Sequence, residues 1–447
     1  MYTSNSPLDR SECTKDCRAF HSRLDQYCHH SLLNTSYGSE GSLDSMHGDA
    51  FELVHVHILA RHGDRTPATA HRIGSPLFYQ CGLVNGNQDW EDLRDFPKPS
   101  PLPPSARIRN SHLELFPGTH HKRCGIGMLT NTGFKQHYAL GSLMQEKYAD
   151  FIGDPSTNAN KIFVQSTDYS RTIHSAASFL LGFLPDNPKI RQSTLIHIST
   201  GSLLQSPPTG IAVSYGYCRN YLQFWKEEMK ATKYFSVEKR VWHPLMEKLC
   251  DMFNIQHKNE PILTELFDHI LGRGCHSYQL PCNQQGECVD HAFARQLFDF
   301  ADWTWNNRYP PNSSILGIVP FVKHSVLEIM DNVINHRQPN LKFVFSFSHD
   351  STLVRVLTSL GIPLDGWMPY ASRIVFELWK KIHSEQDYYV RVLFNGTPIT
   401  NKIPLRQQYQ RTQDERNLNL VQYSELKDYL TTGKYRDIQS YRTVCET

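Results

Sequence analysis

Two arginines flank one histidine in the heptapeptide Arg61-His62-Gly63-Asp64-Arg65-Thr66-Pro67, directly after the apolar run Phe51–Ala60. Two fixed positive charges beside an imidazole are costly unless an anion shares the site. A phosphoryl group suits them, because planar guanidinium meets its oxygens two at a time. The same positive field keeps the attacking nitrogen of His62 unprotonated and nucleophilic. Gly63 is read as letting the backbone turn sharply out of the strand, and Pro67 as stiffening the exit.

Two further fragments belong to the same chemistry. Ser166-Thr167-Asp168-Tyr169-Ser170-Arg171 places Arg171 in the first turn of a predicted helix, and Ser348-His349-Asp350-Ser351 closes the run "KFVFSFS". All three fragments follow predicted strands, and open α/β sheets bind ligands at the carboxyl ends of strands. A helix N-terminus adds N–H groups and positive potential there. Gathered at one site, Arg61, Arg65, Arg171, His62, His349 and Asp350 supply three guanidiniums, two imidazoles and one carboxylic acid.

The elements that must position these groups are legible from pattern. Residues 51–60, "KIFVQS", "TLIHIS" (194–199), 342–348, 372–379 and 388–395 read as strands. His55 and His57 fall on one face of the first strand and are expected to pack there; no third residue completes a metal site. Residues 129–148 read as a helix with Thr130 as N-cap, and "TDYSRTIHSAASFLLGFLP" as a helix stopping near Gly182 and Pro185. From about 205 to 315 strand signals give way to helical ones, among them "PILTELFDHILG", with Ile262, Leu263, Leu266, Phe267, Ile270 and Leu271 on one face. A further helix is read over 319–334. Strands alternating with helices argue for an α/β core, 49–204 and 316–447, interrupted by a helical cap, 205–315. Residues 1–48 show no sustained periodicity and read as a loosely ordered arm. The stretch 68–120, with "FPKPSPLPP" at 96–104, reads as an irregular surface excursion.

The 447 residues carry a net charge of only +2, which argues against a nucleic-acid partner and requires any anion site to arise from local clustering. No apolar run approaches a membrane span in this reading. Eleven cysteines, with sequons at Asn34, Asn312 and Asn395, favour an oxidising, secretory compartment. The first residues carry no apolar leader, so a leader or membrane anchor is expected beyond this sequence. Cys13, Cys17, His21 and Cys28 fit no standard zinc spacing, nor do Cys275, Cys282 and Cys288; disulfides are expected, with at least one cysteine left unpaired.

In this order "RHGDRTP", "LTNTG", "STDYSR" and "HDSTL" resemble the histidine acid phosphatase family, over roughly residues 50–400. The resemblance implies a mixed central sheet flanked by helices, a smaller helical cap, and neither metal nor cofactor. It makes His62 the nucleophile of a phosphohistidine intermediate. Arg61, Arg65, Arg171 and His349 would bind the phosphoryl group, and Asp350 would serve as proton donor and then base. Pro281–Asp290, Arg373–Thr400 and Cys445 are similar to the branch of the family that removes the 2-phosphate of xylose in the glycosaminoglycan linkage region. The expected partner is therefore a phosphorylated sugar or glycan, and the expected compartment the Golgi lumen, with a secreted or lysosomal enzyme of broad specificity as the alternative. A phosphosugar-binding protein without activity, or a mutase sharing only Arg-His-Gly, would be told apart by whether phosphate is released.

Overall fold

The computed structural model describes residues 14–29, 38–43, 50–68, 79, 81, 124–153, 161–184, 196–199, 218, 220–255, 260–363, 365–405 and 411–445. Cys13, Asn34 and the Pro-rich stretch 96–104 lie outside these described residues, as does most of the 68–120 excursion. The six expected strands form one sheet, β1 (Phe51–Arg61), β2 (Ile162–Thr167), β3 (Ile196–Ser199), β4 (Phe343–Ser348), β5 (Arg373–Lys381) and β6 (Tyr388–Phe394), joined by two short strands the pattern did not show, β7 (Thr397–Pro398) and β8 (Val421–Gln422). Their order is β3-β2-β4-β1-β5-β6-β7, with β8 pairing β6. β1, β2, β3 and β4 run parallel, and β5 pairs antiparallel with both β1 and β6. The sheet is mixed, flanked by helices on both faces.

β1 and β4 are near-continuous apolar runs because both their faces are covered. Val56, Ile58 and Ala60 pack with Phe134, Leu140 and Phe179, from the helices Asn131–Lys147 and Ser170–Phe183. On the other face lies the larger cluster, built from Glu260–Cys275, His291–Asn307, Pro311–Ile334 and Asp350–Ser359. The first two helices meet at glycines. A Cβ on Gly141 would lie 2.0 Å from the Phe179 carbonyl, and one on Gly182 2.1 Å from that of Tyr138. Gly182 is therefore a packing residue inside its helix, and the helix stops one residue later.

His55 and His57 pack as expected. His55 Nδ1 donates to the Leu341 carbonyl at 2.9 Å, and His57 Nε2 lies 2.8 Å from Ser346 Oγ. Burial pushes His55 down to about 4, and His57 and His137 to about 3. All three are neutral in the fold but protonate near pH ~6.5 once unfolded. The unfolded chain therefore binds more protons below that pH. Their stabilising contribution is complete above pH ~6.5 and drains away as pH falls, by up to about 1.4 kcal/mol per pH unit for each group. The midpoint of thermal unfolding is expected to drop between pH 7 and pH 5. A midpoint that rises over that interval would contradict the neutral assignment.

Three expectations need correction. Residues 15–28 of the supposed arm form a helix, Lys15–Cys28, N-capped by Thr14. Its buried Cys17, Phe20, Leu24, Tyr27 and Cys28 follow three-and-four spacing, and Cys28 is disulfide-bonded to Cys275. The pattern is short and diluted by charged residues, so periodicity alone misses it. The helix read over 319–334 begins instead at Pro311, with Pro320 inside it. Proline lacks the N–H that would bond back one turn, and a π-helical stretch, Val322–Leu327, absorbs the defect. That 24-residue helix is also apolar and long enough to span a bilayer, contrary to the reading of no such run, but its most apolar window is 67% buried as a core helix.

The cysteines form disulfides as expected: Cys28–Cys275, Cys81–Cys124, Cys218–Cys445 and Cys282–Cys288, with Cys17 bonded as well and Cys250 a buried thiol. Cys17, His21 and His291 approach closely enough to share an ion, but the Cys17 sulfur is in a disulfide and offers no thiolate.

Candidate active site

The sheet register brings the three fragments to one edge. Arg61 pairs with Ser348 across β1 and β4, and Ser166 pairs with Phe347 across β2 and β4. His62, Thr167 and His349 therefore leave three adjacent parallel strands at the same level. The β5 side buttresses this edge, where the Arg61 N–H donates to the Ser372 carbonyl at 2.8 Å and the Ala371 N–H to the His62 carbonyl at 3.1 Å.

The loop after β1 is held by close approach. A Cβ on Gly63 would lie 2.5 Å from the Gly133 carbonyl, and one on Gly133 would lie 2.2 Å from the Asp64 carbonyl. Glycine is required at Gly63 because a helix backbone presses against it; its φ is not positive. Nearby, the Gly63 N–H donates to Ser175 Oγ at 3.1 Å and the Asp64 N–H to Gln136 Oε1 at 2.7 Å.

His62 is 2% exposed. Its Nδ1 lies 2.8 Å from the Gly63 carbonyl, which can only accept, so Nδ1 carries the proton and Nε2 a free lone pair. Burial, then the charges of Arg171, Arg61 and Arg65, hold this imidazole well below its ordinary pKa. The His349 ring stands 5.6 Å away, nearly perpendicular. It too is held far down by burial and the three arginines. Arg171 Nη2 approaches His349 Nδ1 at 3.4 Å, and His349 Nε2 lies 3.1 Å from Thr167 Oγ1. Both histidines are neutral bases in a cationic pocket.

Arg61 is fully buried. It donates to the Met368 carbonyl, lies under the Tyr370 ring at 4.4 Å, and contacts Asp350 Oδ2 at 2.9 Å through Nη2. Asp350 opens the helix Asp350–Ser359, with His349 as its N-cap residue. Arg171 sits in the first turn of Ser170–Phe183, as expected, and burial beside Arg65 lowers its pKa to about 10. The Nε atoms of Arg61, Arg65 and Arg171 are buried with no hydrogen-bond partner among the described residues. Three guanidiniums converge on two carboxylates, so donors outnumber acceptors.

The second carboxylate, Asp268, escaped the sequence reading. Its Oδ2 accepts from Arg65 Nη1 at 3.0 Å and from the Ala68 N–H at 2.7 Å. Burial opposes ionisation of Asp268, but Arg65 outweighs it and holds the pKa below the usual value. Asp64 was also missed: it is fully buried and accepts from His276 Nε2 at 2.7 Å and from Thr130 Oγ1. Asp268 and His276 belong to, or directly follow, the helix Glu260–Cys275, so that helix grips the loop after β1 at two points. The only local mark is an acid four residues before Gly272 on an apolar helix, and it does not encode what that acid meets. A Cβ on Gly272 would lie 3.5 Å from Pro67, which shows that this stripe faces the loop.

Residues 52–395 match the model of the histidine phosphatase superfamily (branch 2). The human protein "2-phosphoxylose phosphatase 1" is 26% identical over 373 residues, 80% of this chain and 74% of its own length. "Counting factor 60" of Dictyostelium discoideum is 26% identical over 375 residues, covering 80% and 83%. The backbone superposes on the Bifidobacterium longum multiple inositol polyphosphate phosphatase with a TM-score of 0.53 at 13% identity, covering 92% of this chain and 96% of that one. The Citrobacter braakii phytase gives 0.52 at 14%, covering 87% and 99%; at such identities the likeness speaks for the fold. With the motifs gathered at one sheet edge and the family model matching most of its length, the chain belongs to the histidine phosphatase superfamily, branch 2, and is a histidine acid phosphatase.

Proposed function

We propose that this phosphatase hydrolyses phosphomonoesters through a phosphohistidine on His62, and that its substrate is the 2-phosphate of xylose in the glycosaminoglycan linkage region. The observation that carries the chemistry is the pairing of a neutral His62, its Nε2 lone pair free, with three buried guanidinium Nε donors that lack acceptors. A phosphoryl group supplies those acceptors and the electrophile together. Nε2 attacks phosphorus, the P–O bond to the alcohol breaks, and Asp350 protonates the departing oxygen. Water then attacks the phosphohistidine, Asp350 takes its proton, and phosphate leaves. Arg61, Arg65, Arg171 and His349 hold the non-bridging oxygens as charge redistributes. We assign the helical segment 205–315 the role of a cap, since Asp268 and His276 reach from it to the catalytic loop.

The substrate assignment is supported by relatives named 2-phosphoxylose phosphatase in human, rat and mouse, each covering 80% of this chain. A relative named lysosomal acid phosphatase, at 24% identity over 58% of the chain, keeps a broad-specificity acid phosphatase as the second reading. The disulfides suit an oxidising lumen, and we place the enzyme in the secretory pathway, at the Golgi. The test is competition at one mildly acidic pH. A linkage oligosaccharide bearing 2-phosphoxylose is expected to show a higher kcat/KM than glycerol 2-phosphate, AMP or phytate. A nucleotide or inositol phosphate that wins instead removes the narrow assignment and leaves the broad one.

A further inference from the structure

Arg61, His62 and Arg65 are polar and buried, but the surface beside Arg171 is neither. Few large apolar side chains are exposed among the described residues; one of them, Tyr169, lies against Arg171, and another, Ile126, is the chain neighbour of Gly127, whose backbone approaches Arg171. Tyr169 is 39% exposed and Ile126 62%. The Arg171 guanidinium lies 4.6 Å from the Tyr169 ring centre, and the His349 ring meets Tyr169 nearly perpendicularly at 4.9 Å. Ile126 precedes Gly127, where a Cβ would lie 3.5 Å from Arg171 Nη1. A phosphoryl group has no use for apolar surface. Tyr169 touches two of the proposed phosphoryl-binding groups, Arg171 and His349, so an alcohol that extends over this side of the phosphoryl group meets its ring.

We propose that Tyr169 is the specificity-determining platform for the alcohol, and that it selects a hydroxylated ring, such as a pyranose, over an open chain. A sugar ring offers a flat face of C–H groups edged by hydroxyls. Tyrosine offers the complement, an aromatic surface ending in a polar handle. Its hydroxyl makes no hydrogen bond to any described residue, so it can meet a sugar hydroxyl. The platform is rigid at its base, since the Tyr169 carbonyl accepts from the Thr172 and Ile173 N–H groups at 3.0 and 3.1 Å and from Thr172 Oγ1 at 2.8 Å. A preset surface loses little freedom on binding. An open-chain alcohol has no face to lay against it. This inference rests on the reading of phosphomonoester hydrolysis at His62.

The experiment compares wild type, Tyr169→Phe and Tyr169→Ala on a pyranoside 2-phosphate and on glycerol 2-phosphate, with inhibition by vanadate as a third readout. For Tyr169→Ala, KM for the pyranoside is expected to rise about tenfold, with Tyr169→Phe intermediate, while glycerol 2-phosphate kinetics and vanadate inhibition shift by about twofold or less. Equal losses on both substrates, with weaker vanadate inhibition, would show that Tyr169 only positions Arg171 and His349 and would overturn the proposal. Unchanged kinetics on both would overturn it too, while leaving the phosphatase reading intact. Wild type that releases phosphate from neither ester would fail the underlying reading instead.

Discussion

His62→Ala is expected to abolish phosphate release, with kcat falling by on the order of 10⁴ or more, because the other imidazole, His349, has its two nitrogens against Arg171 Nη2 and Thr167 Oγ1. Vanadate should still bind, since Arg61, Arg65 and Arg171 remain and their buried donors still lack acceptors. Rapid quenching of wild type with a radioactive phosphoester should trap an adduct on His62 that is labile to acid and stable to base. An adduct on serine or cysteine would refute the assignment. The pH profile offers a second check. His62 is held well below the ordinary imidazole value by burial and the surrounding arginines, so its folded form stays unprotonated well below pH ~6.5. kcat/KM should therefore show no acid-side loss centred near pH 6.5. A loss centred there that is also seen in kcat at saturating substrate, and so is not the ester's own ionisation near pH ~6, would mean that His62 titrates as an exposed histidine does.

Asp350→Asn is expected to separate substrates by their leaving groups. An alkoxide leaves slowly unless it is protonated as the bond breaks, and general acid catalysis is worth about 10²–10⁴ in rate. Sugar phosphates should lose a factor of that order. p-Nitrophenyl phosphate, whose phenolate needs little help, should lose about tenfold or less. The substitution also removes the 2.9 Å ion pair with Arg61, but both substrates share that loss, so the ratio reports the proton alone. Equal losses on the two substrates would make Asp350 a positioning residue for Arg61.

Most of the sheet was readable in advance because its strands are short apolar runs, and a run of that kind has one stable use, burial on both faces. β1 and β4 appear within a residue or so of where the pattern put them. The helix Lys15–Cys28 was missed because its apolar positions have no meaning until the helix meets His291–Asn307, whose Phe298 ring lies 5.5 Å from Phe20. The early start of Pro311–Ile334 was missed for a related reason. An interior proline argues against a helix locally, and only packing on both sides of Pro320 overrides it.

The six candidate site residues were named from their types, their order along the chain and their place after predicted strands, and the sheet register brings their fragments to one edge. Guanidiniums, imidazoles and a carboxylic acid at strand ends suit a phosphoryl group, because gathered like charges are costly without a counter-charge. The partners Asp268 and His276 were not identifiable. They lie 203 and 212 residues from Arg65 and Asp64, and no local pattern encodes a contact across that separation. The tautomer of His62 likewise depends on where the Gly63 carbonyl points, and Tyr169 became a candidate only once Arg171 and His349 were seen against its ring. Residue chemistry is a property of the chain and survives unfolded. Register, burial and the orientation of a lone pair exist only when distant segments are packed together, and those were decided by the tertiary structure.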